Sequence, residues 1–272
     1  MRVLPLLALT AALSLQGQEH EPAAATKAKP KAKPEAHAAA PAGQVATPAA
    51  HGPAPSADTP DSPSAALTEL ATGNARFVAG KRVRTLDTGH DVAMRAALVG
   101  GQSPFAIVIT CSDSRVPDAL VFDQEAGRLF TIREAGNAPD LQGIASAEYA
   151  ADHLGSKLIV VMGHTSCGAV KAIREANGKP LPGNLWALQA GMSGLLESTP
   201  HDPNEEAKAH LSRLEEANAK RQAQAILDRS SLLHEKVAAE QLWVVPALYH
   251  LDTGKVQFFK PLSLAPAASA HH

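Results

Sequence analysis

Cysteine is scarce in this chain: among 272 residues there are only Cys111 and Cys167. Neither lies near the amino terminus, which argues against a lipid anchor on an amino-terminal cysteine. Two thiols permit one disulfide, or one metal ion shared between them. Large apolar side chains are missing from residues 21–63, which are almost all Ala, Pro, Lys, Thr, His and Gly. Such a stretch cannot bury enough surface to offset the entropy lost on ordering, and it reads as a solvated tether. Its Lys27, Lys29, Lys31 and Lys33 are then solvated charges, and His37 and His51 are not ligands. No run after residue 15 is apolar enough to span a bilayer. A charge excess is missing too: 25 basic and 27 acidic side chains leave a formal net charge of −2, with the signs mixed. No feature of that balance points to nucleic acid.

The first residues form a leader-like segment. Arg2 is followed by an apolar run from Val3 to about Leu15, then by polar residues. This is the pattern of a secretory signal peptide, and it implies a periplasmic or secreted protein. Residues 1–17 are expected to be the signal, 18–63 a disordered Ala/Pro/Lys-rich linker, 64–260 a folded domain and 261–272 a tail. The third segment is long enough for one domain with a full core.

Within that domain, helical spacing of Leu67, Leu70 and Phe77 predicts a helix over 64–79, capped by Ser62 or Ser64. A second helix is expected over 90–99. FAIVIT (105–110) and LIVVMGH (158–164) are continuous apolar runs, as in strands buried on both faces. LFTIR (129–133), LWVVPALYH (242–250) and KVQFF (255–259) read as three more strands, the last two joined by a turn at 252–254. Helices are expected over 144–154, ending at Gly155, over 169–177, ending at Gly178, and twice within 205–240. Strands alternating with helices give an α/β fold: one mostly parallel central sheet flanked by helices, in a single domain.

In such sheets, ligands bind beyond the carboxyl ends of strands, near a switch point in strand order. Cys111 directly follows the first apolar strand, and His164 and Cys167 follow the third. Two thiolates and an imidazole suit Zn²⁺, and three protein ligands leave a position open for chemistry. A Cys111–Cys167 disulfide, or a pair of buried free thiols, would leave His164 and the charged CSDSR loop (111–115) unexplained.

CxDSR followed by HxxCG, at the ends of two apolar strands, resembles the β-class carbonic anhydrases. The resemblance runs from about Leu67 to Phe259 and includes LATGNARF (70–77), GQSPFAIVITCSDSRVP (101–117), RLFTIREAGN (128–137) and SAEYAADHLG (146–155). It implies one Zn²⁺ per chain on Cys111, His164 and Cys167, and reversible hydration of CO₂ to bicarbonate and a proton. It also implies that Gln102, Phe130, Gly136 and Tyr149 line the substrate pocket. Homodimers or homotetramers with sites near the subunit interface follow from the same likeness. Zinc acidifies its water, so hydroxide forms and attacks CO₂; two thiolates cancel the ion's charge, so activity is expected to rise into the alkaline range. Arg115 can hold Asp113 by two parallel bonds, so that Asp113 orients the attacking oxygen. Released, Asp113 would close the site as a fourth ligand. One subgroup holds inhibitory bicarbonate with a Trp, an Arg and a Tyr; the matching positions here are Val108, Arg133 and Tyr249. Without the Trp, the open arrangement is expected. Phe130, Ala135 and Val108 are expected near the site. Glu134 stands where many relatives carry Asn, and the sequence gives no account of it. One of the remaining histidines, His201 and His210 among them, could shuttle protons, but each reads better as solvated or capping. Rival readings are an inactive zinc-binding relative, a hydrolase of CS₂ or COS, and an exported redox protein with a Cys111–Cys167 disulfide.

Overall fold

The computed structural model describes residues 58–84 and 91–264. The expected signal, most of the expected linker and most of the expected tail lie outside the described residues. Helix α1 (Pro63–Val78) starts where Ser62 Oγ accepts the Ala65 N–H and Pro63 occupies the first turn, where its missing N–H costs no bond. A β-carbon on Gly73 would lie 1.9 Å from Phe122 O, so this glycine lets the helix approach that backbone. Beside it, Asn74 donates to Val121 O and Gly254 O and accepts from Val256 N–H. Helix α2 spans Asp91–Leu98; His90, its expected first residue, lies outside the described residues.

The rest alternates. In order come β1 (Ala106–Thr110), α3 (Asp118–Val121), β2 (Leu129–Arg133), α4 (Leu141–Asp152), β3 (Leu158–His164), α5 (Gly168–Ala176), α6 (Trp186–Gly191), α7 (Leu195–Ser198), α8 (Ala207–Arg229), α9 (Ser231–Ala238), β4 (Trp243–Tyr249) and β5 (Val256–Phe258). Single turns of 3₁₀ helix lie at Ala135–Asn137 and Gly183–Leu185. The five strands form one sheet in the order β2-β1-β3-β4-β5, parallel except for β5. Every residue of β1 and β3 is buried, as their unbroken apolar runs require.

Alternate residues feed two cores. Ile107, Ile109, Ile159, Val161 and Val244 pack with α4, α8 and α9 residues. Val108, Val160, Met162 and Val245 pack on the other face with Ala66 and Leu70 of α1 and Val121 of α3. Val108 is therefore a core residue on the α1 side, which corrects the expectation that it borders the site. Two helix ends also differ from expectation. Helix α4 starts at Leu141 rather than residue 144, because Asp140 Oδ1 accepts the Gln142 and Gly143 N–H groups. The left-handed residue closing α5 is Asn177 (φ +45°), one before Gly178. Among the described residues, no helix is long and apolar enough to cross a membrane.

The chain runs from β1 to β2 on one side, then crosses to β3 on the other. The carboxyl ends of β1 and β3 therefore flank the switch point, where the sheet leaves a crevice.

Candidate metal centre

Thr110 pairs with Met162, so the chain leaves β1 and β3 at nearly the same level. Cys111 follows one strand, His164 ends the other, and Cys167 caps α5. One ligand atom from each lies within 4.8 Å of the others. All three side chains are buried, and the cysteines are free. They sit in an apolar cluster with Val170, Ile173, Met192, Leu195 and Leu214. Ser166, at the tip of the turn between the two ligands, takes φ +57°, a left-handed conformation that lets three residues reverse direction.

The donor set fits a metal ion. A carbonyl can only accept, so the contact of His164 Nδ1 with Thr165 O at 3.0 Å places the ring proton on Nδ1. Nε2 is left with a lone pair, buried and without a hydrogen-bond partner. An orphaned imidazole nitrogen facing two thiols is costly in a protein interior unless a cation takes it up. The Gly136 N–H donates to Cys111 Sγ at 3.3 Å. Hydrogen bonding from the Cys167 thiol, against the cost of burial and with help from the Gly136 N–H, pulls Cys111 down to about 4. The same pairing pushes Cys167 up, so the first negative charge settles on Cys111.

Asp113 lies above this triangle. Arg115 donates from Nε to Oδ1 at 2.9 Å and from Nη2 to Oδ2 at 2.7 Å, and its backbone N–H adds a bond at 2.9 Å. Arg115 thereby holds the Asp113 carboxyl well below the usual carboxylate range, although burial opposes this. Oδ2 stands 3.8 Å from His164 Nε2. Arg115 also donates to Ser166 O, linking the two loops.

Four residues that sequence reasoning passed over or cast in other roles hold the ligand loops. Arg133, matched to a bicarbonate position, instead donates to Cys111 O at 3.2 Å and Asp113 O at 2.6 Å. Glu215 accepts the Cys167 N–H at 2.8 Å, and Asn218 donates to Gly136 O at 2.7 Å. Gln222 in turn donates to Asn218 Oδ1. Glu215, Asn218 and Gln222 are buried on one face of α8, a polar stripe at helical spacing beside Leu214, Ala219, Ala223 and Ile226. Glu134 accepts the Asp140 N–H and so braces the start of α4.

The pocket residues divide. Gly136 touches Cys111, and Ala135 precedes it. Gln102 lies before the amino end of β1, whereas Cys111 follows the carboxyl end. Five strand residues span about 16 Å, so Gln102 cannot reach the cluster of its own chain. Phe130 pairs with Ile107, also near the wrong end. It packs 6.4 Å, centroid to centroid, from exposed Tyr149 on α4.

The comparisons agree with this geometry. The profile of the carbonic anhydrase family matches residues 106–256. Carbonic anhydrase 2 of Mycobacterium tuberculosis is 36% identical over 197 residues, covering 71% of this chain and 91% of that protein. A Coccomyxa β-carbonic anhydrase structure, solved with acetazolamide, is 26% identical with a TM-score of 0.58, covering 72% of this chain and 88% of that one. A structure from a study of two tetrameric β-carbonic anhydrases of Sordaria macrospora shares the fold at 23% identity, TM-score 0.57, covering 72% of this chain and 99% of that one. The chain belongs to the carbonic anhydrase family and has the fold of its β class.

Proposed function

We propose that the protein interconverts CO₂ and bicarbonate at one zinc ion held by Cys111, His164 and Cys167. The observation that carries this reading is the Asp113 carboxylate, clamped by Arg115 with an oxygen 3.8 Å from the orphaned His164 nitrogen. Bound zinc supplies Lewis acidity, which brings the ionisation of water towards neutral pH.

The chain's own residues supply orientation. Asp113 is ionised and can only accept, so a water or hydroxide beneath it gives it a hydrogen bond and turns a lone pair towards the substrate carbon. Its affinity for protons is too low for it to be the base; it is a positioning carboxylate that also touches the reacting oxygen. Arg115 fixes its angle, and Arg133 holds the backbone on which both stand. The apolar cluster around the ligands suits a small nonpolar substrate.

Gln102, Phe130 and Tyr149 complete the pocket of a neighbouring subunit in this reading. β2 is an edge strand, and Leu141 and Tyr149 beside it are exposed, which supports an interface there. The leader-like residues 1–17 support export to the periplasm or beyond. Stopped-flow CO₂ hydration by zinc-loaded protein tests the activity: hydration proportional to zinc at the Cys111 cluster is expected, and zinc-loaded protein without it would refute the proposal.

A further inference from the structure

A second group of metal-type ligands lies on the loop before α8 and its first turn. One ligand atom each of His201, Glu205 and His210 falls within 4.8 Å of the others. His210 Nε2 meets Thr199 O at 2.9 Å, and His201 Nε2 meets Glu205 O at 3.2 Å. Carbonyl oxygens only accept, so both rings carry their proton on Nε2 and keep a lone pair on Nδ1. Backbone carbonyls fix metal-binding histidines in this way. The two ring centroids stand 4.9 Å apart, and both rings line a cavity of about 580 Å³. His210 is buried. Glu205 is fixed as well: Arg213 donates to both carboxylate oxygens at 2.7 Å, and to Pro200 O at 2.8 Å. A carboxylate has about four lone-pair positions, so two remain after this pairing. Arg213 then serves as the outer partner that orients a ligating carboxylate. Lone pairs of two imidazoles and a carboxylate repel anions and suit a borderline divalent cation.

We propose that His201, Glu205 and His210 form a second metal site, for zinc or copper(II), separate from the Cys111 cluster. The cation staples the 199–206 loop to the start of α8. Two nitrogens and one oxygen leave positions open to solvent, so this site binds more weakly than a closed structural zinc site.

The test is calorimetric titration of the full-length protein, already loaded with one equivalent of zinc, with ZnCl₂. Copper(II) electron paramagnetic resonance on the same protein gives a second readout. A further equivalent is expected in the wild type, with nitrogen hyperfine splitting when copper fills it. His201→Ala should weaken that equivalent at least tenfold and reduce the splitting, and Glu205→Gln should weaken it similarly. His201 is exposed, so its loss does not threaten the fold. CO₂ hydration should be unchanged in His201→Ala. Comparing variant with wild type reads this site alone, whatever the Cys111 cluster holds. Absence of a further equivalent would overturn the proposal, as would one unaffected by both substitutions and therefore held elsewhere.

Discussion

Asp113 contributes an acceptor that cannot become a donor, and that property is what an amide removes. Asp113→Asn should lower kcat for CO₂ hydration by about 10²-fold, the scale of losing one aligned transition-state hydrogen bond. Zinc content should stay at wild-type level, because Asp113 is not a ligand in the arrangement seen. Arg115→Lys keeps the charge but loses the fork that meets both oxygens, so a fall of about tenfold in kcat is expected. Because Arg115 holds Asp113 far down, the carboxylate stays ionised across the working range. The rise of kcat/KM with pH should therefore follow ionisation of the zinc site alone, and the profile of Asp113→Asn should rise over the same interval at a lower plateau. Loss of the rise in that variant would assign the titration to Asp113 instead. At this scale, the sequence singled out Cys111, His164, Cys167, Asp113 and Arg115 as candidates because unusual residue types sit at strand ends, and the fold brings them together. Glu215 and Asn218 were hidden. Their partners are 48 and 82 residues away, and no local pattern encodes so distant a bond.

Helix α8 is the element on which the site rests. Asn218→Ala would leave Gly136 O buried without its donor, at a cost of about 1–3 kcal/mol. It would also loosen the backbone that donates to Cys111 Sγ. Denaturant unfolding of the zinc-loaded variant should show the lower midpoint, and competition with a chelator should show weaker zinc retention. On α3, Asp118 is buried and accepts from Thr131 Oγ1 at 2.7 Å, and burial raises its carboxyl above the ordinary value. A raised carboxyl binds its proton more tightly folded than unfolded. Its stabilising contribution is therefore full below about pH 4 and declines as pH rises through the folded value. Asp118→Asn should flatten that decline, measured as Tm against pH upward from pH 4; an unchanged slope would contradict it. The long elements were legible: β2 and β3 match their apolar runs residue for residue, and 205–240 holds two helices. Helices α6 and α7 were not, because four to six residues offer too little periodicity to read. The start of α4 was missed because its cap, Asp140, lies outside the apolar pattern.

At the scale of the whole molecule, the sheet order turns two distant motifs into one centre. Cys111 and His164 meet only because β3 crosses to the free side of β1. The alternation of strands and helices forecast that arrangement in kind, and the family likeness supplied its details. Neither revealed that Gln102, before β1, and Phe130, near the start of β2, lie at the far end of the sheet from their own chain's cysteines, since residue order carries no distance. If those residues serve a partner's pocket, Tyr149→Arg on the exposed face beside β2 should yield smaller particles in analytical ultracentrifugation and at least a tenfold loss of kcat/KM. The most direct measurement is CO₂ hydration followed while zinc is returned to metal-free protein under reducing conditions. The rate should climb linearly to one equivalent and then stay level, even if a second ion binds at His201 and His210. Hydration that ignores zinc, or a first equivalent bound at Cys111 without hydration, would contradict the assignment.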